Sequence, residues 1–371
     1  MKPLSISHSS ASLLDNFKNP QIARGLLEKI NSCTTAATLM EVCGTHTVAL
    51  FAAGIRQGLS ERIHLASGPG CPVCVTPVES IEKAIGLACR SNTVLFCFGD
   101  MVKVPGASGS LESARANRKA RVKVMYSPLE ALEFARHEPR TDVVLFGVGF
   151  ETTIPLFASL VQRAVAHRVK NLYLLTAFRL IPPALEALVS SGDVRIDGFL
   201  LPGHVSSIIG ADVYRFMAER YYVPGVIAGF EAVDLCEGIL LLLDMIRRRE
   251  PAIKNQYTRF VSPLGNRRAQ DLIASVFTTC DSHWRGLGEI RNSGVRLAGD
   301  FSRFDAEALI DFEIGTASEP DGCRCGEVIT GKRTPTGCAL FGAACTPAHP
   351  VGPCMVSREG TCAAYYHYGG R

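Results

Sequence analysis

At 371 residues, 47% hydrophobic and 20% charged, the chain exceeds what one core usually serves and has ample apolar material for two or three globular domains. Its net charge of +4 forms no basic stripe; the one short basic run, Arg247-Arg248-Arg249, ends a helical pattern where cations are expected, so nucleic acid is not implied. The longest apolar run, Gly238 to Leu243, is cut by Asp244, and MKPLSISHSSASLLDNF lacks the apolar segment of a signal peptide, which excludes a membrane span and predicts a cytoplasmic protein.

Residues 1–35 read as helical and moderately polar, broken at Asn19-Pro20 and closed by the loop Asn31-Ser32-Cys33-Thr34-Thr35, in which Cys33 reads as a buried filler. Short apolar runs then alternate with turns and longer stretches of helical spacing as far as Glu250. The runs of strand length are Ala37 to Val42, Ile63 to Ala66, Thr93 to Phe98, Val122 to Met125, Asp142 to Val148, Asn171 to Thr176, Gly198 to Leu201 and Pro224 to Ala228. Strand, crossover and strand in succession predict parallel sheets covered on both faces. Eight strands over this length suit two four-stranded Rossmann-like lobes, 36–140 and 141–250, although a closed eight-stranded barrel leaves the same pattern. Beyond Glu250-Pro251 the period fades. Residues 250–266 are polar, Ala269 to Phe277 reads as one more helix, and from His283 onward Gly, Pro and Cys outweigh any repeat. Residues 251–371 are therefore expected to form a separate loop-rich lobe, completed by 1–35.

Fourteen cysteines in a reducing compartment are not a disulfide framework and point to metal or redox chemistry. Two of them, Cys71 and Cys74, stand in the C-x-x-C spacing within Gly68-Pro69-Gly70-Cys71-Pro72-Val73-Cys74-Val75-Thr76-Pro77. Such a pair can close a small disulfide, and the apolar pattern from Val78 to Leu87 puts the second thiol at a helix start, where thiolate is favoured. A redox pair or transient metal ligand is preferred over half of a zinc site, whose second pair is missing nearby, and over an inert loop.

In open parallel sheets, ligands gather beyond the carboxyl ends of the strands. The unusual residues recur there: Cys43-Gly44-Thr45-His46, the C-x-x-C loop, Gly99-Asp100, Gly149-Phe150-Glu151-Thr152-Thr153, Pro202-Gly203-His204-Val205-Ser206 and Gly229-Phe230-Glu231. Each alone has an ordinary structural explanation as a turn glycine, a helix cap or a solvated histidine. Cys43 differs, because a thiol at a strand end before Gly and a helix start is placed for a depressed pKa. Together the loops describe one cleft between two lobes, lined by Cys43, Cys71, Cys74, His46, His204 and the carboxylates Glu151 and Glu231. Such a lining can ligate a soft metal or move protons and electrons. It contains no phosphate cradle, since neither G-x-G-x-x-G nor G-x-x-x-x-G-K-[ST] occurs.

Six cysteines lie between 323 and 362, and Cys323, Cys338, Cys345 and Cys362 stand in the spacing C-x14-C-x6-C-x16-C within Gly- and Pro-rich loops. An iron–sulfur cluster or a zinc ion would hold four thiolates so spread; the lack of close C-x-x-C pairs favours the cluster. Cys325 and Cys354 are left over, and Cys325 is near enough to Cys323 to compete with it.

The ordered segments MEVCGTH, GPGCPVCVTP, FGDMVKVPG, GFETT, LLPGHVS, GFEAVD, WRGLGEIRNSG, CRCGE and EGTCAAYY, running from Met40 to the C-terminus, resemble the HypD family of hydrogenase maturation proteins. The resemblance implies a cytoplasmic factor with two α/β lobes and a third lobe carrying a [4Fe-4S] cluster. It implies assembly of the Fe(CN)2CO group of [NiFe]-hydrogenases with the chaperone HypC and cyanide from HypE, HypF acting upstream and the hydrogenase large subunit served indirectly. It further implies that Cys43 holds the iron with a HypC cysteine, that Cys71 and Cys74 are redox-active, and that Cys323, Cys338, Cys345 and Cys362 ligate the cluster. Reducing equivalents would then pass from the cluster through the Cys71/Cys74 pair to the iron, with His46 and His204 as proton donors or groups flanking the metal. Thr47 replaces the Glu of some relatives, so position 47 receives no role. The competing classes are a cluster-dependent thiol/disulfide oxidoreductase and a zinc-stabilised binding protein, the latter separated from the others by lack of colour.

Overall fold

The computed structural model describes residues 16–192, 195–314 and 318–369. Residues 1–15 of the segment expected to be helical lie outside the described residues. All eight expected strands are present, each within two residues of its expected bounds: β1 Ala37–Glu41, β2 Ile63–Ser67, β3 Thr93–Cys97, β4 Val122–Val124, β5 Asp142–Gly149, β6 Leu172–Phe178, β7 Gly198–Pro202 and β8 Gly225–Ala228. Three more follow: β9 Ile253–Asn255, β10 Phe277–Trp284 and β11 Gly288–Leu297. The described chain forms two compact units, one of 16–68 with 195–265 and the other of 69–192 with 266–369.

The first unit is built on a parallel sheet of order β2-β1-β7-β8-β9, with Leu39 opposite Leu65 on one side and Gly198 on the other. β7 and β8 are buried along their whole length, as expected for strands covered on both faces. One cover is the helix Ala232–Arg248, whose Leu235, Ile239, Leu242 and Leu243 join Leu39, Leu200 and Val226 in the core. The helix Pro20–Ser32 packs against it; Asn19 Oδ1 accepts from Gln21 N at 2.9 Å and Pro20 occupies the first turn, both helix-start devices. The strand order reverses at β1, so the crevice of a doubly wound sheet falls at the carboxyl ends of β1 and β7.

The second unit has a parallel sheet of order β4-β3-β5-β6, reversing between β3 and β5. Its core joins Val143, Leu145, Phe157 and Phe178 to Phe277, Val295 and Leu297 of the antiparallel hairpin β10–β11, which carries a bulge between Cys280 and Ser282. The helix Arg267–Val276 precedes the hairpin, its first turn closed by Asn266 Oδ1 accepting from Ala269 N at 3.1 Å. The tail from Cys323 consists of the short helices Cys325–Ile329, Pro353–Val356 and Thr361–Tyr368 with long loops between them.

The α/β class with two Rossmann-like parallel sheets and a loop-rich, cysteine-bearing tail is observed, but the strands pair differently from their order in the chain. β1 and β2 pair with β7 and β8 rather than with β3 and β4, so the second sheet is inserted within the first instead of following it at residue 140. Local pattern does not carry this, because every parallel crossover looks alike until its partner is known. The barrel alternative gives way to two open sheets. The expected single lobe of 1–35 and 251–371 is divided: the helix Pro20–Ser32 and residues 251–265 lie in the first unit, and 266–369 in the second. Phe277 opens a strand rather than closing a helix. Among the described residues no helix is long and apolar enough to cross a membrane.

Candidate functional site

In the first unit the sheet-edge loops carry the expected residues to the crevice. Cys43 is buried in extended conformation as the N-cap of the helix Gly44–Ala52, and its carbonyl accepts from Thr47 N at 3.1 Å. One turn on, His46 is fully buried with Nε2 3.2 Å from Ala228 O. A carbonyl only accepts, so Nε2 carries the proton and Nδ1 is a bare lone pair, buried and without a partner among the described residues. Burial pushes the imidazole down to about 4, so His46 is neutral near pH 7. In that state Nδ1 offers an acceptor or ligand nitrogen. Phe230 lies between the two imidazoles, its ring 4.9 Å from that of His46 and 4.0 Å from that of the exposed His204, on which it stacks.

Glu231 stands at this edge as a helix cap. Its side chain accepts from Asp234 N, Asp234 Oδ2 accepts from Glu231 N at 3.2 Å, and Lys18 Nζ lies 3.9 Å from Glu231 Oε1. Asp234 is fully buried and takes two hydrogen bonds from Arg259 (2.8 and 2.5 Å) and one from Gln256 Nε2 (2.8 Å), tying the start of its helix to the segment after β9. Two residues before Cys43, at the end of β1, the buried Glu41 accepts from Ser67 Oγ (2.7 Å), Arg56 Nη2 (3.2 Å) and Thr47 Oγ1 (3.3 Å). Position 47, left without a role in the sequence, thus ties Glu41 to the Cys43 loop, its Oγ1 also donating to Cys43 O at 3.4 Å.

In the second unit the C-x-x-C pair is buried. Cys71, not Cys74, caps a helical turn, Pro72–Val75, and its Sγ accepts from Cys74 N at 3.4 Å. The expected placement of Cys74 at the start of the following helix fails because that helix, Val78–Cys89, begins only after Pro77. Burial holds the Cys74 thiol well above the ordinary range, and the thiol contacts both Cys71 and Cys354. Cys354 in turn touches Cys325 and Cys362, and Cys325 also touches Cys323. Contact with Cys325, followed by burial, pushes Cys323 up; Cys362 gains thiolate character from Cys325 but is raised on balance by Cys354 and burial. Cys345 accepts from Val351 N at 3.3 Å and is raised by burial. The two cysteines left over in the sequence therefore sit at the centre of the group, joining the C-x-x-C turn to the tail.

Soft thiolates in dry surroundings suit an iron–sulfur group, because thiols so strongly raised ionise readily only beside a cation. Gly352 leaves the room: a Cβ there would come within 2.5 Å of Cys323 Sγ and 2.6 Å of Cys325 Sγ. Cys323, Cys345 and Cys362 share this neighbourhood, whereas Cys338, half-buried after the turn Pro335–Gly337, enters none of these sulfur contacts. Among the described residues no three His, Cys, Asp or Glu side chains already stand at coordinating distance.

Two carboxylates mark the crevice of the second sheet. Asp100, after β3, accepts from Ser357 Oγ at 2.9 Å. Glu151, two residues beyond β5, is buried; its Oε1 accepts from Ile181 N at 2.9 Å, and its Oε2 has no partner among the described residues. Burial pushes its carboxyl up to about 7, which lets it exchange a proton near neutrality. The C-x-x-C turn packs on β5, the same strand that Glu151 follows.

The fold and these loops define a class: a doubly wound α/β protein with thiols and imidazoles at its sheet edges and a tail of clustered cysteines. The family profile HypD, described as "Hydrogenase formation hypA family", matches residues 21–369. The hydrogenase maturation factor HypD of Escherichia coli strain K12 is 42% identical over 364 residues, covering 96% of this chain and 97% of that protein. The HypD of Rhodobacter capsulatus is 42% identical over 369 residues (95% and 97%), and that of Azotobacter vinelandii 41% over 367 (96% of each). The chain belongs to the HypD family.

Proposed function

We propose that the protein is a cytoplasmic, redox-active scaffold of [NiFe]-hydrogenase maturation, on which the Fe(CN)2CO group is assembled as cargo. A HypC-type chaperone shares the iron, and a HypE-type protein, supplied by HypF, delivers cyanide for the hydrogenase large subunit. The observation that carries the reading is the contact of Cys74 with Cys354, which links the C-x-x-C pair to the tail cysteines without a break. Cys43 binds the iron as a soft thiolate donor, and the neutral His46 presents Nδ1 as an acceptor one turn away. Cys323, Cys338, Cys345 and Cys362 would hold a [4Fe-4S] cluster, which supplies single electrons when bound.

The Cys71/Cys74 pair takes up two electrons and two protons on passing from disulfide to dithiol. Because burial favours the protonated form of Cys74, the proton has to arrive with the electrons, and Glu151, beyond the strand on which the C-x-x-C turn packs, is suited to exchange it. Complementation tests the reading. In a strain lacking its own HypD, the wild-type chain restores hydrogenase activity, whereas Cys43→Ala and Cys74→Ser accumulate as folded protein without restoring it. Full restoration by both variants would contradict the proposal.

A further inference from the structure

The WRGLGEI segment has no part in the chemistry above, yet it forms the turn of the hairpin β10–β11 beside the sulfur centres. Trp284, fully buried, donates from Nε1 to Ser293 Oγ at 2.9 Å and stacks on Phe150 with ring centroids 6.1 Å apart. Gly286 takes φ +78°, and a Cβ there would stand 2.6 Å from Gly326 Cα, so only glycine lets the turn press on the helix Cys325–Ile329. Between them is Arg285, with 1% of its side chain exposed.

Arg285 is a buried guanidinium. Its backbone N–H donates to Val75 O at 2.9 Å and its Nε to Thr76 O at 3.0 Å, both in the segment that follows Cys74. Nη1 pairs with the half-exposed Glu319. Nη2 is buried and has no partner among the described residues. The guanidinium lies within electrostatic reach of Cys323. A buried charged N–H without an acceptor is costly, and so the orphan donor marks a place where an anionic acceptor belongs.

We infer that Arg285 is a positioning residue for the iron–sulfur group, its Nη2 reserved for an acceptor of that group on the Cys323 side while Nε fixes the C-x-x-C turn. One cation thereby orders both sulfur centres. The inference rests on the cluster reading given above. Reduction makes an iron–sulfur group more negative, so a donor and a positive charge beside it stabilise the reduced form and raise its potential. A guanidinium that clamped the turn while remaining remote from the group would leave that potential unmoved.

The test uses the full chain, isolated anaerobically, as wild type, Arg285→Gln, Arg285→Lys and Glu319→Gln. Iron and acid-labile sulfide report the cluster, and an electron paramagnetic resonance titration reports its midpoint potential. Arg285→Gln is expected to retain iron and sulfide and to lower the potential by about 60 mV, a tenfold change for a one-electron couple. Arg285→Lys, which keeps the charge without the fork, falls between it and wild type. Glu319→Gln leaves the guanidinium in place, strips its counter-charge and shifts the potential upward; this variant decides the matter if Arg285→Gln cannot hold the group. Unchanged potentials in Arg285→Gln and Glu319→Gln, with full iron, would overturn the inference. Wild-type protein without iron or sulfide would overturn the cluster reading itself, which is a distinguishable failure.

Discussion

Replacing Glu151 by Gln tests whether the second crevice keeps a buried acid for proton exchange. The folded carboxyl sits at about 7 against an ordinary value of 4.5, raised by burial and opposed by the backbone N–H groups of Glu151 and Ile181. A carboxyl raised on folding binds its proton more tightly in the native state. Its contribution to stability is therefore complete below pH 4.5 and is lost as the pH rises through 7. At about 1.4 kcal/mol per pH unit, the displacement amounts to about 3 kcal/mol between the two limits. Gln keeps the acceptor for Ile181 N and carries no charge, so Glu151→Gln should match wild type near pH 4 and exceed it by up to about 3 kcal/mol above pH 8. Hydrogen exchange of the amides in β5 and β6, followed from pH 5 to 8, reads this difference within the second unit. The same variant should fail to mature hydrogenase, making it more stable and inactive. Parallel pH profiles for the two proteins would refute the buried-acid account.

Single Ser variants of the tail should sort by role: Cys323→Ser and Cys338→Ser lose iron and acid-labile sulfide, and Cys325→Ser keeps both, with the reverse pattern excluding the assigned ligands. Thiol alkylation under denaturing conditions, read by mass, should find Cys71 and Cys74 blocked together in the oxidised protein and free after mild reduction; thiols that remain unmodifiable and retain metal would speak for a zinc or iron site. Asp234→Ala strands the Arg259 guanidinium and should cost about 3 kcal/mol, the low end for a broken buried pair because Arg259 is 21% exposed, visible as a lower melting temperature; a change below about 0.5 kcal/mol would mean that the pair does not pin this loop.

The strands were legible because each is a short β-branched or aromatic run bounded by turn residues, as in Thr93–Cys97 and Asp142–Gly149. Their partners were not, since the return to β1 by β7 is decided by packing over some distance in sequence. The hairpin Phe277–Leu297 was hidden by its composition: one face is polar, the bulge after Cys280 interrupts the alternation, and only Phe277, Trp284, Ile290, Val295 and Leu297 betray the inner face. At the sites, cysteine spacing singled out Cys71, Cys74 and the tail cysteines, while Cys325 and Cys354 looked superfluous because spacing says nothing of Cys74 lying against Cys354. Glu41, Asp234 and Arg285 escaped notice for the opposite reason. Charged residues are read as surface by default, and only the structure shows these three buried. The WRG segment was the one available hint for Arg285.

Infrared spectroscopy of the chain isolated anaerobically with the HypC-type chaperone proposed as its partner tests the central claim most directly, because cyanide and carbonyl stretches fall in a window free of protein absorption. The account predicts both kinds of band in the wild-type complex and neither in Cys43→Ala, which should still fold, still bind the chaperone and still contain its cluster iron. Bands of normal intensity in a folded Cys43→Ala complex would contradict it.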